Sequence, residues 1–246
     1  MSEDGVTPVI EGSDVMEIKR VPVEAVLFDM DGLMFDTEAL NMRAWIEAGE
    51  LHGFTITEEQ IQKHIGLDVP NTKKVMQKQL GSSFDFDRVR KDRVAWALSC
   101  IEKNGTPVKE GLRELLAFLK EKKIKRAVAS STEENIVVFY VKNAGLIPTP
   151  GADFDVFVCG DRVKSGKPAP DIFLLAAGEL GVPPEKCLVL EDSYNGIRAA
   201  RSAGMRSVMI PDLLPSTPDM EKLFFRKCGT LLEVIPLIRE LNGGMA

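Results

Sequence analysis

The sequence predicts an α/β protein with a Rossmann-like parallel sheet core and an inserted helical cap domain. Short apolar runs alternate along the chain with segments of helical spacing. Strand followed by helix, repeated, is typical of a parallel sheet with right-handed crossovers. One interval of roughly 70 residues contains helical segments but no strand candidate. A strand-helix-strand unit needs only about 30 residues, so this interval indicates an insertion.

The predicted strands are short and apolar. The first, residues 23–30, reads VEAVLFDM, as expected for a strand covered by helices on both faces. The other predicted strands are residues 125–130, 156–159, 187–190 and 207–210. The helices predicted among and after them are residues 111–123, 133–144, 170–180, 195–203 and 231–241.

The predicted cap comprises residues 36–107, with helices at 38–51, 58–63, 71–79 and 86–103. The Rossmann-like core is then residues 21–35 together with 108–246. Residues 1–20 mix acidic residues with Gly and Pro before any periodic pattern, so we expect a flexible leader there.

Composition limits the function classes. The chain has 31 Lys and Arg against 37 Asp and Glu, a formal charge of −6. A nucleic-acid coat or a binder of anionic membranes would need clustered cations, so we predict neither partner. The sequence leaves the oligomeric state open.

Cellular location is predicted from the cysteines and the absence of targeting signals. No pair of cysteines has the two-residue gap of a zinc or redox motif, and we expect reduced, mostly buried thiols. Neither a secretion signal nor 18 uninterrupted apolar residues is visible. These features predict a cytoplasmic protein. The cysteines are Cys100, Cys159, Cys187 and Cys228.

Two acidic pairs follow predicted strands. Asp29 and Asp31 are alternate residues at the end of the first strand, so both side chains can face one site at the carboxyl edge of the sheet. A simple polar turn would explain this pair equally well. Glu191 and Asp192 follow a later strand, where they could also cap the next helix. Four carboxylates at one edge would repel each other, and oxygen ligands without His or Cys suit Mg²⁺.

Two further segments could bind phosphate. Ser130 and Ser131 end a strand just before a predicted helix, where hydroxyls and backbone N–H groups can hold phosphate oxygens, although such residues are also ordinary helix caps. Lys167 lies in a turn-forming SGKPAP segment, and alone it would be a solvated surface charge. Lys167 and the four acids leave a charge of −3, to which a phosphomonoester adds about −1.5 to −2. A metal and one protonated carboxyl, a general acid, would relieve this charge.

Four ordered segments carry a family resemblance: FDMDGLMFDTE, VASST, SGKPAPDIF and LVLEDSYNGIRAARSAGM. They resemble the four motifs of the haloacid dehalogenase (HAD) superfamily, and more closely its phosphoglucomutase-like branch of capped phosphatases. The resemblance implies that Asp29 is a nucleophile that forms an aspartyl-phosphate and that Asp31 is the general acid/base. It also implies that Ser130 and Lys167 bind phosphate.

The resemblance further implies the cofactor and the substrate. Asp192 matches a direct Mg²⁺ ligand, with Glu191 beside it as a ligand or a supporting residue. Asp29 through its side chain and Asp31 through its backbone carbonyl would complete the set. The expected activity is hydrolysis of a small phosphomonoester, a sugar or polyol phosphate. The cap residues expected to face the leaving group are Gly66, Leu67 and Asp68.

Two alternatives remain. A β-phosphoglucomutase-type mutase of this branch usually has a His in the first cap helix and a basic residue three positions after the Gly that matches Gly66. This chain has Asn41 and Val69 there, although Lys73 or Lys74 could supply the charge. A phospho-acceptor receiver domain, the second alternative, also combines acids, Mg²⁺ and a Lys, but it has no helical insertion.

Overall fold

The computed structural model describes residues 21–64, 67 and 69–244. The predicted leader, 1–20, lies outside the described residues. Across the described chain, six parallel strands form one sheet in the order β3-β2-β1-β4-β5-β6. This order reverses between β1 and β4, which places a crevice at their carboxyl ends. The strands are β1 Ala25–Phe28, β2 Lys125–Ala129, β3 Val156–Val158, β4 Cys187–Glu191, β5 Arg206–Met209 and β6 Arg226–Lys227.

The central strand β1 is buried on both faces. Val26 and Phe28 face one hydrophobic cluster, and Ala25 and Leu27 face another. This alternation follows from the two-residue period of an extended chain. An unbroken apolar run is therefore what a strand between two helical layers requires.

Helices cover both faces of the sheet. The core helices are α5 Leu112–Glu121, α6 Glu134–Asn143, α7 Asp171–Leu180, α8 Tyr194–Ser202, the short α9 Pro218–Glu221 and α10 Val234–Leu241. The cluster on the Val26 face includes residues of α5, α6 and α10, and that on the Leu27 face includes residues of α7 and α8. Ser193 caps α8 by accepting the N–H of Gly196.

Four helices lie in the interval between β1 and α5. They have their own hydrophobic cluster, which includes Trp45, Met76 and Phe86. Thr57 and Gln60 form a capping box at the start of α2. These helices are α1 Glu38–Leu51, α2 Glu58–Gln62, α3 Val69–Leu80 and α4 Phe86–Asn104. The inserted helical cap is therefore present, while the proposed domain bounds 21–35, 36–107 and 108–246 stay predictions.

Two chain segments connect the cap to the core side by side. The N–H of Asp36 donates to the carbonyl of Pro107 over 2.9 Å, and the N–H of Lys109 donates to the carbonyl of Met34 over 2.9 Å. Phe35 forms a single antiparallel bridge with Val108 between these bonds. The cap is therefore connected to the core by two adjacent backbone segments at the carboxyl edge of the sheet.

The structure adds elements that the sequence pattern did not predict. The edge strand β6 is a pair of exposed basic residues, and α9 is a single turn. The edge strand β6 carries no apolar periodicity, because charged side chains on an edge strand oppose pairing with other chains. The helix α9 has only four residues, which is too short to show a helical period.

The four cysteines are free thiols; Cys100 is partly exposed and the other three are buried. Within the described ranges no helix combines the length and apolar character of a membrane span.

A partly buried ion pair connects β2 to the residue that precedes the edge strand β3. Asp155 accepts the backbone N–H of Arg126 over 2.7 Å and pairs with its guanidinium over 3.0 Å. The Arg126 side chain is buried, whereas Asp155 remains partly exposed. Removing the carboxylate would leave a buried cation without its partner, which is a costly arrangement.

We expect Asp155→Ala to lower the free energy of unfolding by about 2–3 kcal/mol, below the value for a fully buried pair because Asp155 retains some solvent contact. Asp219→Ala removes an ion pair with Lys222 that is almost fully exposed, and it should cost less than about 1 kcal/mol. Urea denaturation of the three proteins measures both changes. Equal losses in the two variants would contradict the structural role of the buried pair.

Candidate active site

Two aspartates follow the carboxyl end of the first strand, at the edge of the sheet. Asp29 directly follows β1, and its N–H donates to the carbonyl of Leu190 in the adjacent β4. Gly32 then turns the chain with φ +78°, and a Cβ there would lie 2.4 Å from Asp192 Oδ2. Glycine is required here for both its conformation and its size.

A buried lysine connects the ends of β1 and β4. Lys167 Nζ donates to Asp29 Oδ1 and to Glu191 Oε1, each over 2.5 Å. The other oxygen of Glu191 accepts the backbone N–H and the hydroxyl of Ser193, each over 2.9 Å. Glu191 is completely buried, so these bonds fix its carboxylate and, through it, the lysine.

Burial and mutual repulsion disfavour the charged carboxylates. Burial raises the pKa of Asp29 to about 8; Lys167 opposes this rise and Glu191 adds to it. Burial also raises the pKa of Asp192 well above its ordinary value, as do the nearby Glu191 and Asp29. For Lys167 burial works toward a lower pKa, but Asp29 and Glu191 outweigh it and the pKa is raised. The site therefore holds more potential negative charge than its single ammonium neutralises.

This acidic cluster has the composition of a site for a hard divalent cation. Asp29, Glu191 and Asp192 each place one carboxylate oxygen within 4.8 Å of the others. When all three carboxylates are ionised, they and Lys167 carry a charge of −2, which one divalent cation would neutralise. Oxygen ligands without His or Cys fit Mg²⁺.

Asp31 lies apart from the three clustered carboxylates and has its own partners. Its Oδ1 accepts the hydroxyl of Thr37 over 3.1 Å, and its Oδ2 accepts the hydroxyl of Thr132 over 2.9 Å. These supporting roles of Thr37 and Thr132 were not predicted from the sequence. For Thr132 the available signal was a hydroxyl two residues after the predicted strand 125–130, whereas Thr37 lies seven residues after the strand 23–30 and gave no such signal.

The predicted phosphate binders lie at one cavity. Ser130, Ser131 and Lys167 line a cavity of about 620 Å³ that Asp29 and Asp31 also line. The Ser130 hydroxyl accepts the N–H of Thr132 over 3.1 Å and so belongs to the turn before α6. The structure brings these residues together, and their roles in binding phosphate stay predictions.

The cap forms the opposite wall of this cavity. Leu67, predicted to face the leaving group, lines it, while Gly66 and Asp68 lie outside the described residues. Lys73 pairs with Asp87 over 2.5 Å. Neither Lys73 nor the exposed Lys74 lines the cavity.

The sequence reasoning missed Arg93, which lines the cavity from the cap helix α4. Arg93 is 24 positions after Val69, so its approach depends on how the cap helices pack. Nothing in the local sequence distinguishes it from the surface arginines of the same helix.

Comparison with known proteins identifies the family. Residues 23–204 match the family described as haloacid dehalogenase-like hydrolase. The "Phosphorylated carbohydrates phosphatase" of Thermotoga maritima is 36% identical over 186 residues, which cover 76% of this chain and 84% of that protein. Hexitol phosphatase B of Escherichia coli K12 is 29% identical over 194 residues, which cover 76% of this chain and 83% of that protein.

A solved structure shares the fold. CbbY from Rhodobacter sphaeroides, in complex with xylulose-(1,5)bisphosphate, superposes with a TM-score of 0.75 and 27% identity. The match covers 86% of this chain and 96% of CbbY. The Rossmann-like sheet with a helical cap is therefore shared with a phosphosugar-binding relative.

Gly196 provides a test of how the site is held together. A Cβ at this helical position would lie 1.7 Å from Glu191 Oε1, whereas a Cβ at the helical Gly178 would meet nothing within 4 Å. We expect Gly196→Ala to displace Glu191, to cost about 1–3 kcal/mol of stability and to lower the catalytic rate. Gly178→Ala, the matched control, should be neutral or stabilising by up to about 1 kcal/mol. Thermal unfolding and steady-state kinetics measure both effects, and a neutral Gly196→Ala would contradict this geometry.

Proposed function

Because the chain belongs to the haloacid dehalogenase-like hydrolase family, we propose that it is a Mg²⁺-dependent phosphatase acting on a small phosphorylated carbohydrate through an aspartyl-phosphate at Asp29. The observation that carries the proposal is the buried Lys167 that contacts both Asp29 and Glu191 beside Asp192. This arrangement combines a nucleophile, a phosphate-binding cation and oxygen ligands for a metal. Relatives named for phosphorylated carbohydrates and hexitols support the substrate class.

In the first half-reaction Asp29 attacks phosphorus. Lys167 occupies Oδ1 of Asp29, which leaves Oδ2 as the attacking atom. The bond from Asp29 to phosphorus forms as the bond from phosphorus to the leaving oxygen breaks, and Asp31 gives its proton to that oxygen. Lys167 and the hydroxyl and N–H groups around Ser130 would stabilise the transferring phosphoryl group.

In the second half-reaction water attacks the aspartyl-phosphate. Asp31, now a carboxylate, accepts the proton of this water, and the bond from phosphorus to Asp29 breaks to release phosphate. The hydroxyls of Thr37 and Thr132 suit both states of Asp31, because a hydroxyl can donate to a carboxylate and accept from a carboxylic acid. Asp31 can therefore change its protonation without losing its partners.

The metal would be held by Asp29 and Asp192, with Glu191 beside them. Both oxygens of Glu191 already have donors, which favours a supporting role for this residue. When bound, Mg²⁺ would neutralise developing charge on the phosphoryl oxygens. The backbone carbonyl of Asp31 stays a predicted ligand.

The mutase alternative is disfavoured by the cap. A mutase must hold the phosphate farthest from Asp29, which requires a cation on the cap side of the cavity. Val69 lines the cavity without a charge, and Lys73 pairs with Asp87 instead. Arg90 and Arg93 do line the cavity, but Arg90 approaches Glu133 at 4.0 Å and Glu38 lines the same cavity. Hydrolysis therefore remains the better proposal.

The cytoplasmic location stays a prediction.

Metal removal tests the cofactor. Excess chelator should abolish phosphate release from sorbitol 6-phosphate, because the three clustered carboxylates would again repel the phosphate. Mg²⁺ should restore the rate and Ca²⁺ should not, since the larger and looser Ca²⁺ shell disturbs in-line geometry. A colorimetric phosphate assay measures each condition. Full activity in chelator would exclude the metal assignment.

Two substitutions separate the roles of the aspartates. Asp29→Asn should abolish turnover and covalent phosphorylation, because an amide is a poor nucleophile. Asp31→Asn should retain phosphate binding but slow turnover by roughly 10²–10⁴-fold, the usual contribution of general acid–base catalysis. Rapid-quench kinetics and intact-protein mass spectrometry report the two effects. Near-wild-type turnover of Asp29→Asn, with deamidation excluded, would require another nucleophile.

A further inference from the structure

We propose that Asn41, His64 and Arg93 form a cap subsite that recognises the hydroxyl groups of a leaving group and does not accept a second phosphate. The inference rests on the proposed phosphatase function and specifies its substrate. It concerns the cap wall of the cavity, opposite Asp29 and Lys167.

Three buried polar atoms of this wall lack hydrogen-bond partners among the described residues. They are Asn41 Oδ1, His64 Nε2 and Arg93 Nε. All three residues line the cavity, and His64 is only 6% exposed. Buried polar atoms in folded proteins are almost always hydrogen-bonded, so three unpaired atoms at one cavity indicate that a ligand completes them.

The indole of Trp45 holds these groups together. Asn41 lies four residues before Trp45 on α1, and so on the same helix face. The Arg93 guanidinium lies 5.5 Å from the Trp45 ring centroid, and the His64 ring packs against Trp45 edge-on with centroids 5.8 Å apart. Trp45 itself is buried in the cap core and lines the cavity. The three polar groups are therefore positioned before any ligand binds.

Their chemistry matches hydroxyl groups. The pKa of His64 is lowered to about 4, by burial first and also by the nearby Arg93, so the imidazole is neutral at pH 7. The Asn41 carbonyl accepts, the Arg93 guanidinium donates, and a neutral imidazole does either according to its tautomer. A hydroxyl group both donates and accepts, so a polyhydroxylated carbohydrate can satisfy all three.

The charge of the wall disfavours a second phosphate. Arg90, Arg93 and Glu38 line the cavity from the cap, and Glu133 lines it from the core at the start of α6. Arg90 approaches Glu133 at 4.0 Å. The pKa of Glu38 is raised to about 7, by burial first and then by Asp31 and Asp212. At pH 7 Glu38 is therefore only partly ionised, so the four side chains carry a net charge between 0 and +1. This is smaller than the charge of about −1.5 to −2 that a second phosphate would bring. We therefore expect this chain not to accept, as a substrate, a bisphosphate of the kind that CbbY binds.

The test compares three probes of similar length: sorbitol 6-phosphate, hexyl phosphate and fructose 1,6-bisphosphate. The wild-type enzyme should prefer sorbitol 6-phosphate in kcat/KM over both others. The ratio of kcat/KM for sorbitol 6-phosphate to that for hexyl phosphate should fall roughly 10–100-fold in Arg93→Met and 3–10-fold in Asn41→Leu, the usual effects of losing charged and neutral hydrogen bonds. Lys91→Met, an exposed position on α4 away from the cavity, is the matched control and should keep the ratio.

Thermal unfolding separates recognition from folding. Asn41 Oδ1 has no hydrogen-bond partner among the described residues, so Asn41→Leu should unfold at or above the wild-type temperature. Arg93→Met removes a buried unpaired Nε but also the guanidinium contact with the Trp45 ring, so it should unfold close to the wild-type temperature. An unchanged ratio in Arg93→Met, or a wild-type preference for hexyl phosphate, would overturn the hydroxyl subsite. A preference for fructose 1,6-bisphosphate would overturn the exclusion of a second phosphate.

Failure of the proposed function gives a different result. If no probe released phosphate, the phosphatase activity would be refuted. The subsite would then be tested by measuring the binding of sorbitol 6-phosphate. Calorimetric titration of sorbitol 6-phosphate into Asp29→Asn and into Asp29→Asn with Arg93→Met should show an affinity loss of about 10-fold or more. Equal affinities, or no binding to either protein, would overturn the subsite.

Discussion

The site depends on the ion pairs of Lys167 with Asp29 and Glu191. A buried ammonium is stable only where its charge is matched and its hydrogen bonds are satisfied. Two carboxylates from adjacent strands provide both, and Ser193 holds Glu191 in turn. The same contacts leave one oxygen of Asp29 free and crowd Asp192 against the other acids. The proposed nucleophile, phosphate-binding cation and metal ligands therefore belong to one buried charge cluster.

The cap and the core contribute different parts of the chemistry. Each has its own hydrophobic cluster, and in the described chain they are connected through the paired segments around Phe35 and Val108. The core wall carries charge in excess, which suits a phosphoryl group and a metal. The cap wall carries little net charge and, among the described residues, three buried polar atoms without hydrogen-bond partners, which suits hydroxyls. The cavity between the walls can thus separate the reacting phosphate from recognition of the leaving group.

Much of the fold and of the catalytic wall was predictable from the sequence. The core strands are apolar runs because both faces are covered, and their bounds differ from the prediction by only a few residues. The strand order could not be derived, since the period of a strand does not identify its neighbours. The polar edge strand β6 and the hydroxyl partners of Asp31 were missed because their side chains give no periodic signal.

The sequence by itself determined the α/β class, the helical insertion and the residues that the sheet edge presents. Each of these follows from local periodicity and from the rule that parallel strands end at one edge. Only the tertiary structure decided that Lys73 pairs with Asp87 while Arg93 lines the cavity. Which face of a cap helix meets the core depends on how Trp45 and its neighbours pack. That packing joins residues far apart in the chain, and no local spacing encodes it.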